Sequence, residues 1–91
     1  MYDLEIKPEA KRIIAKLVKK NVRLFDILDK KQTDIRQKPF HQYKSLRKPL
    51  QNFNRVHIDK HFVLIFRIDH KQQVVEIWHF AHHDTVYGWN P

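Results

Sequence analysis

The stretch FNRVHIDKHFVLIFRIDHKQQVVEIWHF, residues 53–80, decides the fold. In FNRVHI the apolar Val56 and Ile58 alternate with Arg55 and His57, the period of a strand with two unlike faces. FVLIFRI (62–68) is apolar enough for a central strand and is interrupted only by Arg67. VVEIWHF (74–80) supplies a third strand, and the polar DHKQ before it reads as a hairpin loop. Three strands in quick succession predict an antiparallel sheet.

Working outward toward the N-terminus, YDLEI sets Tyr2, Leu4 and Ile6 against Asp3 and Glu5, a further strand with one buried face. Pro8 then opens a helix, where its missing N–H costs nothing. Ala10, Ile13, Ile14, Leu17 and Val18 recur at helical spacing, with Lys11, Arg12, Lys16, Lys19 and Lys20 opposite. Asn21 marks a break. A second amphipathic helix is predicted from about Val22 to Gln37, with Leu24, Phe25, Leu28 and Ile35 as its stripe and an Asp26–Lys30 pair on its surface. Pro39 stops it. HQYKSLRKPLQN (41–52) reads as a polar, basic connector. The expectation is one α+β domain over residues 1–91, a β-α-α-β-β-β order with a helical hairpin on one face of a mainly antiparallel four-stranded sheet.

Composition narrows the function. The chain has no cysteine, which excludes disulfides and thiolate chemistry and suits a reducing compartment. No apolar run approaches the length of a membrane span, and Asp3 and Glu5 break any signal-peptide pattern, so the expected location is the cytoplasm. The net charge of +8 is concentrated: residues 36–67 hold Arg36, Lys38, Lys44, Arg47, Lys48, Arg55, Lys60 and Arg67 against Asp59 alone. Such a field attracts polyanions, of which nucleic acid is the commonest in that compartment.

Two helices cover one sheet face, which leaves the other for polar side chains. Arg55 and His57 project together there, and Arg67 is expected to join them, because facing the core would leave it desolvated and unpaired. The sequence therefore predicts a shallow basic, histidine-bearing surface.

The tail HFAHHDTVYGWNP (79–91) admits three readings. As a metal centre, His79, His82, His83 and Asp84 would need to converge to about 2 Å from an ion. Neighbours such as His82 and His83 usually diverge, and no established ligand spacing is matched, so neither a metal nor another cofactor is expected. As a plain anchor, Tyr87 and Trp89 would fasten the C-terminus, with Phe53 and Phe62 in the core. As an acid–base site, His57 and His83 suit the two proton transfers of RNA cleavage by internal 2′-hydroxyl attack. Lys44, Arg47, Lys48, Arg55 and Arg67 would bind phosphate, and Tyr87 would stack on an unpaired base.

With those residues in hand, YKSLRKPLQNFNRVHIDKHFVLIFRID (43–69) and HFAHHDTVYGW (79–89) together resemble the RelE/ParE superfamily of toxin–antitoxin toxins, its RelE-type and YafQ-type messenger-RNA interferases in particular. The resemblance implies a toxin that cleaves messenger RNA on the ribosome without a metal and is neutralised by a RelB-like antitoxin. It implies acid–base roles for His57 and His83 and an aromatic role at the site for Tyr87. Lys48 stands where a YafQ-type toxin has a histidine, which makes it a phosphate ligand. His61 stands where that pattern has an aspartate, a proton-transfer position. The alternatives within reach are a ParE-type gyrase inhibitor of the same fold and an inactive basic RNA-binding module.

Overall fold

Alternation over the first residues becomes β1 (Asp3–Ile6), and the helical spacing becomes α1 (Pro8–Lys20) and α2 (Val22–Gln37) in a computed structural model that describes all 91 residues. Asn21 serves both helices: its N–H bonds the carbonyl of Leu17, and its side-chain oxygen accepts the N–H of Leu24 at 3.1 Å, capping α2. The chain continues through β2 (Lys44–Ser45), β3 (Asn54–Ile58), β4 (Phe62–Asp69) and β5 (Val74–His82) to one helical turn, α3 (His83–Val86).

The strands form one sheet in the order β1-β5-β4-β3-β2, with β1 parallel to β5 and every other pair antiparallel. Five strands replace the expected four. The addition, β2, pairs Lys44 with Arg55 and Ser45 with Asn54 in what read as connector. Two exposed polar residues carry no alternation, so periodicity could not reveal them.

Ile14, Leu24, Leu28 and Ile35 of the hairpin pack against Ile58, Leu64, Phe66, Val75, Ile77 and Phe80 of the sheet. The stripe of α2 drifts from expectation. Phe25 is 39% exposed, while Gln32, four residues after Leu28, is buried. The surface pair on α2 is Lys38–Asp34, not Asp26–Lys30. Tyr2 fastens the N-terminus: its N–H donates to the Arg36 carbonyl, its carbonyl accepts from Arg36 Nε, and its hydroxyl bonds His70 Nδ1 at 3.0 Å. No helix is long and apolar enough to cross a membrane.

The opposite face is not bare. Phe53, Val63, Ile65, Val86 and Trp89 are buried there, with Leu46, Leu50 and Trp78 packed around them. The connector and the C-terminal tail fold over the sheet to make a second core. A β-bulge between Ile65 and Phe66 assists: register passes from Ile65↔His79 to Phe66↔Ile77, leaving Trp78 as the additional residue. Trp78 and His79 thus both address this face, where Trp78 packs on Phe53 and His79 stacks on Trp89. Burying a large apolar side chain contributes about 1.5–3 kcal/mol, so this cluster rivals the net stability of a small domain. The tail is a structural element.

Candidate nucleic-acid interface and histidine cluster

Folding the connector and the tail over the sheet creates a cleft between them. Arg47, Lys48 and Leu50 line one wall, Tyr87, Gly88 and Trp89 the other, and Arg55 of β3 the floor, around about 790 Å³. The expected open basic surface is therefore a groove with built walls. Three of the expected phosphate ligands, Arg47, Lys48 and Arg55, meet the expected aromatic, Tyr87, in this one place. The Arg55 guanidinium lies 5.8 Å from the Tyr87 ring centroid, and Tyr87 stays 56% exposed. A cation beside an accessible aromatic face suits a base and its phosphate together.

The remaining cations differ. Lys44 lies at the sheet edge on β2, opposite Arg55. Arg67 is on the expected face, but its Nε donates to the buried Glu76 carboxylate at 2.8 Å, and its guanidinium covers Phe53 and Trp78. That contact neutralises a half-buried charge, and Glu76 holds Trp78 Nε1 as well, at 3.1 Å.

The histidines separate into groups. His57 is exposed on β3, two residues from Arg55 on the same face, and makes no side-chain hydrogen bond or ion pair. His61, His82 and His83 instead come together at the far end of the β4–β5 hairpin, with one ring nitrogen of each within 4.8 Å of the others. Strand pairing causes this: Phe62 faces His82, and the His83 N–H continues the ladder to the His61 carbonyl at 2.8 Å. His82 and His83, expected to diverge, have ring centroids 4.5 Å apart. The chain leaves the strand at His82 and enters α3 at His83, so strand alternation no longer separates their side chains.

Hydrogen bonds orient this cluster. His83 Nδ1 lies 3.3 Å from the His61 carbonyl, which can only accept, so Nδ1 carries the proton and Nε2 is the free site. Asp84 Oδ1 is 3.2 Å from that Nε2, and Asp84 Oδ2 is 3.4 Å from His82 Nδ1. Tyr87 follows His83 by one helical turn. His82 received no role from sequence. Reading the β4–β5 register far enough to set His61 against His83 would have drawn attention to it.

His79 stands apart, half-buried against Trp89, with its buried ring Nδ1 lacking a hydrogen bond and Glu9 Oε1 3.6 Å away. Burial lowers its pKa, and the Glu9 carboxylate offsets this in part. Glu9 also accepts from Trp89 Nε1 at 3.4 Å, so this trio anchors the tail.

Residues 4–87 match the family model for the ParE toxin of type II toxin–antitoxin systems, parDE. The chain is 45% identical over 87 residues to "Putative toxin RelE4" of Methanocaldococcus jannaschii, covering 96% of this chain and 92% of that protein. In structure it resembles the toxin–antitoxin complex RelBE2 from Mycobacterium tuberculosis, with a TM-score of 0.75 at 23% identity over 90% of this chain and 98% of that one. It also resembles YafQ from Escherichia coli, with a TM-score of 0.75 at 13% identity over 97% of this chain and 100% of that one. The fold is RelE-like.

Proposed function

The chain belongs to the ParE toxin family, within the RelE/ParE superfamily of type II toxin–antitoxin toxins, and from that premise we propose that it is a ribosome-dependent endoribonuclease cleaving messenger RNA by 2′-hydroxyl attack. One observation carries the reading: the cleft that gathers Arg47, Lys48, Arg55 and Tyr87, with His57 next along β3 and His83 one turn from Tyr87.

In this reading the RNA backbone runs along the cleft. Arg47, Lys48 and Arg55 bind its phosphates, Lys44 extends the positive edge, and Arg67 acts from below through the Glu76 contact that sets the floor. Tyr87 stacks on an unpaired base. His57 and His83 supply base and acid. One takes the 2′-hydroxyl proton as that oxygen attacks phosphorus, and the other protonates the departing 5′-oxygen, leaving a 2′,3′-cyclic phosphate and a 5′-hydroxyl end. The arginines stabilise the charge that builds on the phosphorane oxygens. Asp84 lies beside His83 Nε2, and His61 orients the ring through its carbonyl. No step requires a metal. A RelB-like antitoxin is the proposed partner, since similar folds occur as RelBE complexes and a basic surface suits an acidic peptide.

The family description favours a second reading, a ParE-type toxin that blocks gyrase by binding. Binding alone gives no use for the proton-transfer groups His57 and His83 beside the cleft, and for that reason we place it second. Induced expression separates the two. An interferase leaves new messenger-RNA 5′ ends at codon positions and arrests translation. DNA damage with intact messenger RNA would replace this reading with the gyrase one.

A further inference from the structure

We propose that His61, His82 and His83 form a binding site for one divalent transition-metal ion, with the Asp84 carboxylate completing it. The hairpin end collects three imidazoles on two rigid elements. His61 ends a tight turn whose Asp59 adopts the left-handed conformation at φ 56°, while His82 and His83 bracket the junction of β5 and α3. The 2.8 Å backbone bond between His83 and His61 holds the two backbone segments that carry the rings together.

The cluster gathers the donor atoms that a cation needs. His83 Nδ1 is committed to the His61 carbonyl, which leaves Nε2, 3.2 Å from Asp84 Oδ1, as the nitrogen open to an ion. His82 Nδ1 accepts the Asp84 backbone N–H at 3.2 Å and faces Asp84 Oδ2 at 3.4 Å. Ring nitrogens of His82 and His83 thus lie beside both carboxylate oxygens of Asp84. A metal ion can take one ring nitrogen from each histidine and an oxygen from Asp84, and that carboxylate offsets half of a divalent charge in a chain of net charge +8.

Donor type sets the class of ion. Imidazole suits zinc, nickel, cobalt or copper, whereas magnesium and calcium need shells of oxygen. Tetrahedral zinc at about 2.0–2.1 Å brings its nitrogens to roughly 3.3 Å from one another, so the 4.8 Å cluster needs only side-chain rotation to close. The His61 carbonyl on His83 Nδ1–H is the kind of outer contact that orients metal-bound histidines. The site does not depend on the proposed nuclease activity.

The test is direct titration of the untagged, chelator-stripped protein with zinc chloride by calorimetry, and with cobalt chloride by absorption. One equivalent should bind, cobalt should show the intense visible bands of four-coordination, and excess magnesium should not compete. His61→Ala, at an exposed turn, and His82→Asn, which retains a capping oxygen for α3, should each weaken zinc binding by about tenfold or more. His70→Ala, at the other end of β4, should leave the affinity as it is. Absence of a saturable one-to-one site would overturn the proposal. So would zinc binding that His61→Ala and His82→Asn leave intact in variants with native circular dichroism.

Discussion

The Arg55 guanidinium lies 5.8 Å from the ring centroid of Tyr87, tying β3 to the C-terminal tail across the floor of the cleft. Under the proposed function, this pair grips one nucleotide by phosphate and by base. Tyr87→Ala should raise the KM for ribosome-bound messenger RNA and lower kcat, while Tyr87→Phe retains most activity, because stacking needs the ring and not the hydroxyl. Loss of a base stack costs about 1–3 kcal/mol, or roughly tenfold in affinity at the centre of that range. If Tyr87→Phe is as impaired as Tyr87→Ala, the hydroxyl has a role that stacking does not supply.

Arg47→Ala, Lys48→Ala and Arg55→Ala should each weaken RNA binding and reduce the slope of log affinity against log salt by about one, the signature of a lost phosphate contact. Arg67→Ala should behave differently. Its charge is held by Glu76, so the main effect should appear as destabilisation, read by thermal unfolding, with a smaller change in salt slope. An Arg67→Ala salt slope that falls as far as the Arg55→Ala slope would show Arg67 to be a full phosphate ligand.

His57→Ala and His83→Ala should each slow single-turnover cleavage on ribosomes by about 10²–10⁴-fold, the usual contribution of a general acid or base. His83→Ala leaves the backbone bond to His61 in place, so the hairpin end should stay folded. Asp84→Asn should cost less, since it removes a partner of His83 and not a transferring group. Full-rate cleavage by either histidine variant removes that histidine from the mechanism.

Much of this arrangement is legible in the residues themselves. Both helices follow from apolar spacing, Asn21 and Pro39, and the three central strands follow from the alternation in FNRVHI and the apolar runs FVLIFRI and VVEIWHF. Features set by register are not legible. Trp78 and His79 share a face because a bulge leaves one residue unpaired, and His61 meets His83 because pairing continues one residue past Phe62 and His82. Neither leaves a periodic signal. The second core is legible only in part: Phe53 reads as core and Trp89 as an anchor, but Leu46 and Leu50 are single apolar residues in polar sequence, joined to them only by the path of the connector.

Trp89 shows what that second core contributes. It is 8% exposed and packs on Phe53, Trp78 and His79. Trp89→Ala should destabilise the protein by about 3–5 kcal/mol, the usual cost of emptying a buried aromatic site. In a domain this small, chemical denaturation should show a large fall in midpoint. A change below about 1 kcal/mol would mean that the tail rests on the sheet without supporting it.

Acid should act through His79. Burial lowers its pKa in the folded state, so the unfolded chain takes up the proton first as pH falls. Its contribution to stability is complete above the ordinary imidazole value of about 6.5 and is lost as pH drops through that value toward the lower folded one. His79→Phe keeps an aromatic ring against Trp89 and removes the titration. Denaturation midpoints at pH about 7.5 and about 5.5 should therefore differ less in His79→Phe than in the parent protein. An equal loss in both would assign the acid sensitivity to other groups.

The histidine cluster and the proposed acid–base pair share His83, which gives the metal site a consequence that rests on the nuclease reading. An ion bound at His83 Nε2 removes the one nitrogen able to transfer a proton, since Nδ1 is held by the His61 carbonyl. Zinc should therefore inhibit cleavage, and a zinc-selective chelator that leaves ribosomal magnesium in place should restore it. His82 separates the two roles, because it contacts the ion but is outside the pair that moves protons. In His82→Asn the ratio of rates with and without zinc should stay near one at zinc concentrations that silence the parent protein. Equal inhibition of both would place the inhibitory ion somewhere other than the hairpin end. Saturation of the cluster by zinc without any loss of cleavage would instead free His83 Nε2 from the catalytic step, while leaving the metal site itself intact.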